Sequence, residues 1–139
     1  MKRVLTAINI VLVLVVICHA QSGTGIELEK KIVIQDMVGR TLEYTWQTGP
    51  FKDAAHVLVF IDPNTFTFSM QSGKNMTDPS KVKFETMQVS DQVIILSWRS
   101  KEYAQTVVLT LNFETHMIYQ VVVTGTTNYL SQGSFVLKK

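Results

Sequence analysis

The side chains able to do chemistry are few, and their spacing decides what each can do. His56 and His116 stand sixty residues apart with no HxH or HExxH spacing around either. A zinc site needs three or four convergent ligands, so both read as ordinary strand and turn histidines, and no metal or cofactor is expected. There is no glycine-rich phosphate loop and no GxSxG nucleophile elbow. The aromatic residues say more. Tyr44 and Trp46 are two apart, so on a strand they share a face. Trp98 follows Ile94 and Leu96 with the same parity, and Phe68 lies between Phe66 and Met70. A ring that packs while its OH or NH orients a guest suits a small-molecule cavity. It equally suits a barrel core, toward which burial tendencies incline each residue taken alone. The expected binding set is Tyr44, Trp46, Phe68, Leu96 and Trp98, with no catalytic residue. Asn75-Met76-Thr77 is an N-glycosylation acceptor in a turn-rich stretch, used only if the host glycosylates.

Strands must position these residues. Val38–Gln47, Ala54–Ile61, Thr65–Gln71, Val82–Val89, Gln92–Arg99, Ala104–Phe113, Met117–Thr126 and Tyr129–Leu137 are rich in Val, Ile, Thr, Phe and Tyr, as half-buried pleated surfaces prefer. Thr48-Gly49-Pro50, Asp62-Pro63-Asn64, Ser72-Gly73-Lys74-Asn75, Ser90-Asp91 and Glu114-Thr115-His116 punctuate them as turns. Eight strands with short connections and no room for crossover helices predict an all-β, single antiparallel barrel. Closure removes the edges that invite aggregation. A β-sandwich is the alternative architecture. Val57, Val59 and Ile61 alternate with Leu58 and Phe60, so that strand is apolar on both faces, which predicts a homodimer or another partner contact.

The first twenty residues carry a different pattern. Lys2 and Arg3 precede an unbroken apolar run, Val11 to Ile17, and Cys18-His19-Ala20 offers a cleavage site. This is a signal peptide over 1–20, helical, apolar on every face, and removed to leave Gln21 first. Val4 to Ile17 is too short for a span, which needs about 20 apolar residues. Lipid attachment at Cys18 is disfavoured by Ile17 just before it. Residues 21–37 form a leader in which Ile26 to Gln35 makes a short helix or an edge strand, and 38–139 is the barrel domain. Loss of Lys2 and Arg3 from thirteen basic residues leaves eleven against eleven acidic ones, and no cysteine remains. A charge-balanced chain without a basic stripe makes nucleic acid or a membrane an unsuited partner. The expected localisation is secreted: extracellular, or periplasmic in a bacterial host.

Val38-Gly39-Arg40-Thr41-Leu42-Glu43-Tyr44-Thr45-Trp46 resembles the opening strand of the phenolic acid decarboxylase and MoaF-like group. Val89-Ser90-Asp91-Gln92-Val93-Ile94-Ile95-Leu96-Ser97-Trp98 is similar to that group's turn and apolar strand ending Ser-Trp. Val107 to Phe113 with Ile118 to Thr124 resembles its following hairpin, and Gln132-Gly133-Ser134-Phe135 its closing strand. The resemblance implies a lipocalin-like calycin barrel. It also implies a decarboxylase site of two tyrosines, an arginine and a glutamate. Tyr44 matches the first tyrosine, but Trp46, Ser69 and Lys83 occupy the other three positions, so the acid and the carboxylate anchor are absent. The fold is expected without that chemistry.

These lines favour non-catalytic binding of a small, mainly apolar or aromatic molecule in the barrel. A packed barrel with an interaction surface is the second expectation. A degenerate decarboxylase relative, with Tyr44 as acid and Lys83 or Glu85 as companion, is the third. The resemblance's register puts Ser69 and Lys83 inside, whereas the amphipathic pattern puts Phe66, Phe68, Val82 and Phe84 there, and burying an unpaired Lys83 is costly.

Overall fold

The structure is a computed structural model that describes residues 31–72, 75–101 and 104–139. The signal peptide and leader residues 21–30 lie outside the described residues. The chain enters through a short 3₁₀ helix, Ile34–Met37, followed by β1 Thr41–Trp46, β2 Ala55–Asp62, β3 Thr65–Ser72, β4 Asn75–Met76 and β5 Ser80–Lys83. β6 Glu85–Ser90, β7 Val93–Ser100, β8 Gln105–Asn112, β9 Met117–Thr124 and β10 Thr127–Lys138 complete it. All pair antiparallel in one sheet, in the order β4-β3-β2-β1-β10-β9-β8-β7-β6, with β5 also on β3.

The expected eight strands therefore become ten segments, and the reason is local. β5 pairs with β3 from Thr65↔Lys83 to Phe68↔Ser80, and β6 pairs with β7 from Glu85↔Ser97 to Ser90↔Val93. One expected strand thus changes partner at Phe84, which is 5% exposed and stacks on Phe66 at 5.1 Å. That partner switch carries the sheet from β3 to β7 and makes a nearly closed barrel. β4 adds two residues paired with Gln71 and Ser72.

Alternation decides the interior. Leu42, Tyr44 and Trp46 on β1 and His56, Leu58 and Phe60 on β2 are buried. Phe66 and Phe68 face the same way, opposite Phe60 and Leu58. Val82 and Phe84 join them, while Lys83 and Glu85 are exposed on the other face. Ser69, opposite Val57, also takes the outer parity. The hydrophobic pattern wins the register, because an uncompensated ammonium has no place among Phe60, Phe66 and Phe84. This corrects the third expectation: Lys83 and Glu85 cannot act with Tyr44 inside the barrel.

The two ends differ. At the end where β1 begins, Met37 is fully buried and Ile34 is 8% exposed, so the 3₁₀ helix stoppers the barrel. Val33 N–H donates to Asp36 Oδ2 at 3.1 Å, and Ile32 N–H to Asp91 O at 2.9 Å, fixing the stopper against the β6–β7 turn. At the opposite end, the mouth, residues 47–54 fold over the opening. Gln47 and Thr48 N–H both donate to Gln132 O, and Phe51 packs against the core. Gly49 has φ +85°, and a Cβ there would sit 2.3 Å from Leu130 O, so only glycine lets the loop lie this close to β10.

Candidate functional site

Three of the five expected site residues come together in the mouth half. Tyr44 and Trp46 meet edge to face at 5.1 Å between ring centroids. Phe68 joins through His56, which stacks on Tyr44 at 5.1 Å and on Phe68 at 5.3 Å. Leu96 is fully buried opposite Leu109 and belongs to the packed core. Trp98 packs edge-on against Phe66 at 5.2 Å and lies elsewhere. It lines a cleft of about 890 Å³ at the β3–β7 seam, together with Asp62, Asn64, Lys83, Phe84 and Arg99. The five residues thus divide among an aromatic cluster, the core and a surface cleft.

The mouth half also holds polar atoms that find no hydrogen-bond partner among the described residues. They are Trp46 Nε1, His56 Nδ1, Gln120 Oε1, Thr124 Oγ1 and Ser131 Oγ. All five sit at inward positions. Gln120 is opposite Leu109 and Ser131, Thr124 shares the face of Val122, and Trp46 is opposite Gly133, two residues from Ser131. His56 is 7% exposed, Ser131 5% and Trp46 1%. Gly133 makes the cluster possible, since a Cβ there would lie 2.1 Å from Thr45 O and force β1 away.

The surroundings of the cluster are electrically neutral. Burial pushes the Tyr44 phenol well above its ordinary range, so it stays protonated. Burial also lowers His56 to about 4, leaving the ring uncharged near neutrality. The strand charges Glu43, Lys81, Lys83, Glu85, Arg99 and Lys138 fall on outward parity, and Asp62 sits past a bulge at the far end of β2, at the seam cleft. The described residues bring no three metal-ligating side chains together.

Gln120, Thr124 and Ser131 escaped the sequence reading, and His56 entered it only as an ordinary strand histidine. Their signal was parity: each alternates with residues that are buried, as His56 does with Leu58 and Phe60. Asn75 opens β4 opposite Ser72, and Thr77 of the same triplet accepts a hydrogen bond at Oγ1 from Met70 N–H at 2.8 Å.

The family model described as MoaF-like matches residues 38–135. No curated protein matches the sequence. Among solved structures, the chain is similar to one titled a putative beta-lactamase from Burkholderia vietnamiensis, with TM-score 0.60 and 14% identity. The match covers 73% of this chain and 94% of that one, a likeness of fold alone.

Proposed function

The chain belongs to the MoaF-like family, and we propose that it is a secreted, non-catalytic carrier that takes a small molecule into the mouth half of its barrel. The observation carrying this reading is the group of five unpartnered polar atoms on one inner face. Each buried orphan costs about 1–3 kcal/mol. A core needed only for packing would replace them with apolar side chains of the same shape. Their grouping beside the Tyr44, Trp46 and Phe68 rings suits a guest with a ring-like body and hydrogen-bonding groups.

The test is titration of the purified protein with N-phenyl-1-naphthylamine, following tryptophan emission. Saturable quenching with one site per chain is expected, weakened by Ser131→Ala and by Gln120→Leu. Absence of any saturable signal would remove the reading.

A second reading, an interaction surface for a further copy of the chain, is favoured by a different observation. The outer positions of β8, β9 and β10 up to Val136 carry no charged side chain, and Leu130 and Val136 are 68% and 56% exposed there. Val59 and Ile61 add exposed apolar surface on β2.

A further inference from the structure

We infer that the guest of the barrel is an electrically neutral molecule that presents both a hydrogen-bond acceptor and a hydrogen-bond donor on an apolar, ring-like body. The inference rests on the carrier reading and names the chemical class it implies.

The argument begins with what the orphan atoms can do. An indole N–H only donates, so Trp46 Nε1 asks for an acceptor. An amide oxygen only accepts, so Gln120 Oε1 asks for a donor. The Ser131 and Thr124 hydroxyls can do either, as can Nδ1 of an uncharged imidazole according to its tautomer. Ser131 and Gln120 are directly opposite across β10 and β9, and Trp46 is one step diagonal to Ser131. Donor and acceptor therefore stand within one small patch, as an amide, a lactam or a phenol beside a carbonyl would need.

Charge is excluded by the same surroundings. Among the described residues, the inner face around the cluster holds no Asp, Glu, Lys or Arg, and the one charge that continues an inward alternation, Asp62, lies past a bulge at the far end of β2 and lines the seam cleft. The residues facing His56 are Tyr44, Trp46 and Phe68. Of these only Tyr44 can ionise, and burial keeps it neutral. The covering loop's own charges, Lys52 and Asp53, are exposed. An anion or cation entering this space would lose its hydration and gain no counter-charge.

Entry runs through the loop over the mouth. A Cβ at Gly49 would come within 2.6 Å of Ser131 Oγ as well as 2.3 Å of Leu130 O. Gly49→Ala therefore lifts the loop from β10 and uncovers the patch.

The experiment is calorimetric titration of the secreted protein with four probes that share one naphthalene body: 2-naphthamide, 2-naphthoate, 2-naphthylmethylammonium and naphthalene itself, at pH 7. The amide should bind at least tenfold tighter than either ion and several-fold tighter than naphthalene. Gln120→Leu should erase the preference of amide over naphthalene. Binding of the naphthoate or the ammonium at the amide's affinity would overturn the neutral class while leaving the carrier reading intact. Equal binding of naphthalene and the amide would overturn the donor–acceptor patch alone. If no probe binds either the native protein or Gly49→Ala, with both folded by circular dichroism, the carrier reading itself fails.

Discussion

At the scale of single residues, the mouth-half side chains trade stability for hydrogen-bonding capacity. Ser131 Oγ is buried and unpartnered, so Ser131→Ala should raise the stability of the ligand-free protein by about 1 kcal/mol. Denaturant melts of the two proteins check this, and a clear loss of stability would mean that the hydroxyl is already satisfied. His56 gives a pH signature. In the unfolded chain its pKa is about 6.5, and in the fold burial lowers it to about 4. Between those values the unfolded state holds more protons, so stability falls as pH drops from about 6.5 toward 4 and levels off below. The full step is worth roughly 3 kcal/mol from the size of that shift. His56→Phe should flatten it in thermal melts recorded from pH 4 to 7. An unchanged pH profile in the variant assigns the step to another group.

At the scale of elements, the partner switch at Phe84 holds the barrel closed. Its ring is buried among Phe60 and Phe66, at centroid distances of 6.0 and 5.1 Å. Phe84→Ala should cost about 3–5 kcal/mol, as large aromatic truncations in packed cores do. Amide exchange should accelerate first in β5 and β6, and protection lost uniformly over the whole sheet would argue against a local hinge. The strands themselves were legible in the sequence, because alternation such as Phe66-Thr67-Phe68 has one solution on a half-buried sheet. The switch was not legible. Val82 to Val89 keeps one unbroken parity, and nothing local records that its first half pairs with β3 and its second with β7. The same limit explains the site. Tyr44, Trp46 and Phe68 could be singled out as candidates because aromatic rings announce themselves, whereas Gln120 and Ser131 become a pair only through the β9–β10 register. Trp98 shares the parity of Leu96 but was carried to the seam by the stagger of β7 against β3, a long-range property.

At the scale of the whole molecule, where the charges are missing matters more than where they are. β1 carries the exposed Glu43–Lys138 pair with its neighbour β10, and β7 ends in Arg99, yet the outer positions between them on β8, β9 and most of β10 are uncharged. Tyr119, Val123, Leu130 and Val136 stand at 44%, 36%, 68% and 56% exposure on that face. Three neighbouring strands at their usual spacing cover roughly 15 Å by 25 Å, a footprint of the size that weak, transient interfaces use. A second copy fits such a face because an uncharged surface repels neither itself nor its symmetry mate, and one two-fold axis satisfies both copies at once. Sedimentation velocity between 1 and 100 µM, a range chosen to bracket the roughly micromolar affinities of small interfaces, should show a concentration-dependent dimer. Leu130→Lys places a charge on the most exposed apolar side chain of the face, and should shift the protein to monomer. A strict monomer throughout that range would leave the exposed valines and Leu130 as ordinary surface. A dimer untouched by Leu130→Lys would move the contact to Val59 and Ile61 on β2.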